Sequence, residues 1–153
     1  MSTRSTTHAT FVLERTYPAT PARVFAAWAD LEAKRQWFGA GEEHELDFTV
    51  GGSEHLVVHT SEGSRYSFDS RYQDIVPDER IVYSYEMHKD EDRISVSVAT
   101  VEFTAAANET HLKMTEQGVF LDGLDDPAAR EHGTGELLEA LGRAITDQAQ
   151  EVA

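Results

Sequence analysis

The side chains able to do chemistry in this chain are limited in kind. There are seven histidines, 28 carboxylates and 13 lysines and arginines, but no cysteine. Thiol nucleophiles, disulfides, Cys-ligated zinc and iron–sulfur clusters are therefore excluded. His55 and His59 stand in an H-x-x-x-H spacing, which on a helix would bring two ligands to one metal. Their flanking residues predict a strand, where four residues span about 13 Å, while nitrogens sharing a zinc each lie about 2 Å from it. The pair therefore reads as two histidines on one face of a sheet, and no metal is expected. His44, among Glu42, Glu43 and Glu45, could collect a surface ion, but such a run is more commonly a solvated face. No G-x-S-x-G is present, and serines and histidines are too plentiful for any one pairing to point to a nucleophile. Gly39-Ala-Gly41 and Gly133-Thr-Gly135 lack the third glycine and the parallel βαβ setting of a dinucleotide site. No cofactor is expected, and no catalytic residue is assigned.

Four polar residues become functional only if they face inward: Glu86, Glu116, Arg71 and His88. Glu116 continues the parity of Leu112 and Met114, so it is expected to point into the interior near the end of its strand. Desolvation there would raise its pKa and suit it to acid–base work. The competing reading is a strand-end glutamate that reaches solvent. Arg71 shares parity with Asp69 and Gln73 and is expected on the outer face.

The elements that must position these groups follow from periodicity. Phe11 to Tyr17 reads as a strand, stopped by Pro18-Ala-Thr-Pro21. Thr20 is a suitable N-cap with Pro21 at the first helical position, and Val24, Phe25 and Trp28 follow at helical spacing. A second short helix is predicted over Leu31 to Trp37, ending at Gly39. The pattern then changes to period two. Strands are predicted at His44 to Phe48, Glu54 to Thr60 and Arg65 to Gln73, with Tyr66, Phe68 and Tyr72 on one face. Ile81, Tyr83, Tyr85 and Met87 alternate on the next strand. Ile94, Val96 and Val98 alternate on the one after, but Val101 and Phe103 fall on the opposite parity, which predicts a bulge near Ala99-Thr100. Thr110 to Glu116 completes the sheet. A long helix from about Ala128 to Gln150 carries the stripe Leu137, Leu138, Leu141 and Ile145, with Gly133, Gly135 and Gly142 inside it.

This order predicts an α+β fold, with two short helices after strand 1 and a seven-stranded curved antiparallel sheet wrapped around a long C-terminal helix. One domain is expected over residues 1–153, with an ordered core of about 9–148. A helix about 10 Å wide leaves part of a concave sheet unfilled. The inward positions carry phenols, each of which needs a hydrogen-bond partner if buried, and an apolar chamber with a few polar tips is the character of a small-molecule site. Alternatively, the tyrosines straddle the core boundary with their hydroxyls in water.

Four segments, Pro21-Ala-Arg-Val-Phe-Ala-Ala-Trp28, Arg35-Gln-Trp-Phe-Gly39, Asp47-Phe-Thr-Val-Gly-Gly52 and Tyr72-Gln-Asp-Ile-Val-Pro-Asp-Glu-Arg-Ile-Val82, carry a resemblance that covers Phe11 to Ile145. The chain resembles bacterial single-domain proteins related to the C-terminal domain of the Hsp90-ATPase activator, within the START-like, Bet v 1-like (SRPBCC) helix-grip superfamily. The resemblance implies a cavity between the long helix and the sheet, used by relatives for lipids, hormones, polyketides or other apolar molecules. One departure stands out: His132-Gly-Thr-Gly135 lacks the tryptophan that commonly follows the glycine in the family, a loss expected to open one end of the chamber. The eukaryotic activator also has a separate N-terminal domain, so chaperone activation is not carried over.

The expected chamber is lined by Trp37, Phe38, Val57, Tyr66, Phe68, Tyr83, Tyr85, Met114, Leu137 and Leu141, with Glu116 near its end. The expected function is non-covalent binding or sequestration of a small apolar or aromatic molecule rather than catalysis. A protein-interaction module of stress or co-chaperone type is one alternative, marked by a filled interior and a contiguous exposed apolar surface. A cyclase or dehydratase is a second, requiring at least two titratable groups within hydrogen-bond reach inside the chamber. The net charge of −15 argues against nucleic acid and anionic membrane as partners. No apolar run approaches the length of a membrane span and no secretory signal is visible, so a cytoplasmic protein is expected. A homodimer is left open.

Overall fold

In a computed structural model, residues 4–39, 41 and 43–152 are described, with side chains to residue 147. Glu42 beside His44 and Ala40 between Gly39 and Gly41 lie outside the described residues. The chain runs β1 (Thr6–Tyr17), α1 (Pro21–Ala29), α2 (Leu31–Lys34), β2 (Glu43–Leu46), β3 (Ser53–His59), β4 (Arg65–Val76), β5 (Arg80–Lys89), β6 (Asp92–Ala106), β7 (Glu109–Leu121) and α3 (Pro127–Val152). The seven strands form one antiparallel sheet in the order β1-β7-β6-β5-β4-β3-β2. The expected α+β architecture is present.

Because successive strand residues alternate faces, the register lays out the inner surface in rows. One row is Phe11, Glu116, Ala99, Tyr83 and Tyr72; the next is Gly118, Ser97, Tyr85, Ser70 and Glu54. α1 starts as its sequence dictates: the Thr20 side chain accepts from the Arg23 N–H and Pro21 occupies the first turn. From Leu138 onward α3 buries Leu138, Leu141 and Ile145 in the core. Gly142 makes a close approach there, since a Cβ would stand 3.2 Å from Cε1 of Tyr17. The Tyr17 hydroxyl in turn donates to the Leu138 carbonyl at 2.8 Å.

Two local expectations are corrected. α2 ends at Lys34 rather than Trp37, because Gln36 and Trp37 donate three residues back, to Ala33 and Lys34, and tighten the last turn. The irregularity in β6 is not at Ala99-Thr100. β6 pairs with β7 without a shift from Ser95 to Ala106, and the slip falls opposite Met87/His88, where Ile94 is the extra residue. Val96 and Val98 consequently face outward, 37 % and 40 % exposed, and Ser95, Ser97 and Ala99 face inward. Valine was the stronger apolar signal, but the inner surface here needs small residues: a Cβ on Gly118 would lie 2.6 Å from Ser97 Oγ, and Ser95 Oγ accepts from Arg130.

Candidate functional site

Two buried polar groups interrupt the inner face of the sheet. The first lies at the β2–β3–α2 side. Lys34 Nζ donates to Glu54 Oε1 at 2.5 Å, the Tyr72 hydroxyl donates to the same oxygen at 2.9 Å, and His44 Nε2 meets Oε2 at 2.7 Å. Lys34 and Glu54 are each 1 % exposed, and the ammonium sits 4.3 Å from the Phe38 ring centroid. Burial alone would push the Glu54 carboxyl up, but the Lys34 charge and the bonds from His44, Lys34 and Tyr72 outweigh it and hold the pKa below the usual range. Each carboxylate oxygen has a partner and the group is closed in by packed protein, so this network locks structure.

The second group lies under the first turns of α3. The Tyr85 hydroxyl donates to Glu116 Oε1 and accepts from Arg130 Nη1 at 3.0 Å. Arg130 Nη2 also reaches Ser95 Oγ at 2.9 Å and Asp125 Oδ2 at 2.5 Å. Glu116 is 3 % exposed, yet its Oε2 has no hydrogen-bond partner among the described residues. Burial pushes its carboxyl above the usual range, against the lowering influence of Tyr85 and Arg130. Tyr85 is raised as well, by burial and then by Glu116, so its proton stays on the phenol at neutral pH.

This second group forms the polar end of a cavity of about 360 Å³ between α3 and the sheet. The sheet contributes Tyr66, Phe68, Tyr83, Tyr85, Met87, Ile94, Met114 and Glu116; α3 contributes Ala129, Arg130, Gly133, Thr134 and Leu137; Phe38 and Asp125 complete the wall. The aromatic wall is cross-braced, with Phe68 lying 5.1 Å from Phe38 and 4.8 Å from Tyr85 between ring centroids. At Gly133 a Cβ would meet nothing within 4 Å, so the absent side chain is part of the empty space. A larger groove of about 710 Å³ between α2 and the later turns of α3 is walled by Asp30, Glu32, Gln36, Arg143 and Asp147. That charged lining marks a solvated surface rather than an apolar chamber.

Of the residues assigned to the chamber, Phe38, Tyr66, Phe68, Tyr83, Tyr85, Met114, Glu116 and Leu137 lie in its wall. Trp37, Val57 and Leu141 do not. Trp37 turns toward α1, its ring 4.7 Å from that of Trp28 and its Nε1 donating to the Ala27 carbonyl. Val57 is fully buried but has the parity of His55 and Glu43, opposite to that of Leu56, and lies outside the main core cluster. Leu141 belongs to the packed half of α3, a turn beyond the cavity. His55 bonds Asp69 across the sheet, and His59 is an exposed residue at the end of β3. Glu86 pairs with Arg93 and Arg71 is exposed, both away from the cavity. Sequence reasoning did not pick out Arg130, Asp125, Lys34 or Glu54. The available signal was position: Arg130 stands seven residues before Leu137 on the same helix face, and Glu54 shares the inward parity of Leu56.

The fold and the cavity-bearing helix have counterparts. The family model for Activator of Hsp90 ATPase homolog 1-like proteins matches residues 18–146. The chain belongs to this family. Among solved structures, an uncharacterized protein from Rhizobium leguminosarum is 45 % identical, with a TM-score of 0.92 over 94 % of this chain and 98 % of its own. Mll3558 from Rhizobium loti is 46 % identical, with a TM-score of 0.87 over 92 % and 99 %. CV1439 from Chromobacterium violaceum, 24 % identical, has a TM-score of 0.77 over 89 % and 96 % and shows the common fold. No functionally curated protein matches the sequence. Family membership places the chain in the START-like, Bet v 1-like superfamily, whose architecture is compatible with ligand binding. Among the described residues no helix is long and apolar enough to cross a membrane.

Proposed function

We propose that this family member binds a small apolar or aromatic molecule non-covalently in the cavity beneath α3. The observation that carries this reading is the cavity itself: about 360 Å³ walled largely by aromatic and aliphatic side chains, with one polar end. That falls at the small end of the size range of ligand pockets, and a few placed polar groups in an apolar wall suit orientation and specificity. Bound ligand stabilises the folded state by mass action. A thermal-shift screen against lipids and aromatic metabolites tests the proposal. Expected is a set of compounds that raise the melting temperature of the wild type and lose that effect in Gly133→Trp, whose indole would occupy the chamber. A screen in which no compound stabilises the wild type defeats it.

A second reading, acid–base catalysis of cyclase or dehydratase type, is favoured by one observation: the titratable pair Glu116 and Tyr85 lie within hydrogen-bond reach in the same cavity wall, with the Arg130 guanidinium bonded to Tyr85. A carboxyl raised by burial is suited to proton transfer. Turnover of a ligand found in the screen, abolished by Glu116→Gln without loss of binding, distinguishes catalyst from carrier. The interaction-module reading has less support, since the interior is not filled, although Val12, Val96 and Val98 are exposed on the strands opposite α3.

A further inference from the structure

Resting on that binding reading, we propose that Glu116 selects the ligand's head group, and that the cavity takes an uncharged hydroxyl-bearing ring compound in preference to its hydrocarbon or carboxylate counterpart. Glu116 Oε2 is a polar atom with no partner in a residue 3 % exposed, in the wall of an otherwise mostly apolar cavity. A buried polar atom without a partner is destabilising, and the protein around it does not satisfy it. The two donors that shape this pole are turned elsewhere: Tyr85 to Oε1, and Arg130 to Tyr85, Ser95 and Asp125. With those bonds made, Oε2 is left open to a partner from the cavity.

The chemistry of the pole narrows what that partner is. A ligand carboxylate would meet the carboxyl groups of Glu116 and Asp125, and the one guanidinium there already pairs with Asp125. An ammonium would meet Arg130, which burial disfavours as a cation but Tyr85, Asp125 and Glu116 keep charged. A hydroxyl avoids both conflicts and can donate to Oε2 or accept from it, so it fits whichever side of the carboxyl carries the proton. The remaining wall, Phe38, Tyr66, Phe68 and Tyr83, presents ring faces and edges to a flat apolar body. At the volume of a liquid water per non-hydrogen atom, 360 Å³ holds about twelve such atoms, the size of a fused two-ring compound.

The test uses three probes on one fused ring, naphthalene, 2-naphthol and 2-naphthoate, with dissociation constants measured by equilibrium dialysis. Size is held by referring 2-naphthoate to the uncharged 2-naphthamide of equal size. Expected for the wild type is 2-naphthol bound about tenfold more tightly than naphthalene, with 2-naphthoate the weakest, as a hydrogen bond to a buried carboxyl predicts. In Glu116→Leu the two neutral probes should bind within about threefold of each other, naphthalene holding or gaining affinity. Glu116→Gln, of the same size, guards against a leucine variant that does not fold: its carbonyl takes the Tyr85 bond and turns an amide donor to the cavity, which a hydroxyl or a carboxylate accepts, so 2-naphthoate should gain about tenfold on 2-naphthol there. The head-group assignment is overturned, with the binding reading intact, if the wild type binds naphthalene and 2-naphthol equally or prefers 2-naphthoate, if folded Glu116→Leu keeps the naphthol preference, or if Glu116→Gln brings 2-naphthoate no gain on 2-naphthol. If none of the three probes binds the folded wild type, the head-group assignment fails, and the binding reading then stands or falls on the wider thermal-shift screen.

Discussion

Glu54 and Glu116 face the same side of one sheet and are almost equally buried, at 1 % and 3 % exposure, yet their surroundings oppose each other. Glu54 receives Lys34, Tyr72 and His44 across its two oxygens and is held ionised. Glu116 receives Tyr85 on one oxygen, has nothing on the other, and is pushed toward its neutral form. The carboxylate in packed protein has a partner on each oxygen, and the one in the cavity wall does not. A buried acid is thus made structural or available for binding by the number of donors supplied to it, since burial is common to both.

The sharpest way to break this contrast is to leave Glu54 alone in the core. Lys34→Met removes the ammonium but not the carboxylate, and breaking one side of a buried pair costs about 3–5 kcal/mol. Urea unfolding should show a loss of that size, while Lys34→Met combined with Glu54→Leu should recover most of it. A single variant within about 1 kcal/mol of wild type would mean that Glu54 is not held ionised by Lys34, and the two acids would no longer differ in kind.

The sequence carries unequal shares of the two sites. The strand pairing and the helix across it follow from period-two runs joined by short turns and one long apolar stripe, which is why Tyr66, Phe68, Tyr83, Tyr85, Met114 and Glu116 could be placed on one face by parity. Parity fails where an irregularity intervenes: Ile94, the extra residue of β6, shifted the assignment of Val96 and Val98. It also fails for charge, because a lysine in a short helix or an arginine after an acidic run reads as solvated. Lys34 and Arg130 are buried by partners distant in the chain, Glu54 twenty residues away and Tyr85 forty-five, and single-chain periodicity carries no such pairing. Trp37 was misplaced for a local reason, as the tightened end of α2 turns its ring toward Trp28.

A weaker perturbation sharpens the contrast through pH. Glu116 has a folded pKa above its unfolded one, so between those values the native state holds more protons than the unfolded chain, and stability falls as pH rises through that window. Glu54 has a folded pKa below its unfolded one, so its contribution is present above the unfolded value and is lost as pH drops toward the folded one. Glu116→Gln should therefore remove the decline on the alkaline side of the carboxylate range and leave the acid limb unchanged. Melting temperatures of wild type and variant across about pH 4–8 decide it. Parallel curves would show that Glu116 titrates as an ordinary exposed acid, against its placement in the cavity wall.

The smallest effect separates the two halves of α3 by the same substitution. Gly133 borders the cavity and an added Cβ meets nothing within 4 Å, whereas at Gly142 the same atom stands 3.2 Å from Tyr17 Cε1. In a helix interior alanine is better than glycine by about 0.5–1 kcal/mol, so Gly133→Ala should gain close to that full amount. Gly142→Ala should gain less or lose, because Tyr17 is 4 % exposed and tied by its hydroxyl to Leu138, which leaves its ring little room to retreat. Unfolding free energies of the two variants measured side by side make the comparison. Equal gains would mean either that Tyr17 yields freely or that the space at Gly133 is not empty, and the second outcome would remove the room on which ligand binding depends.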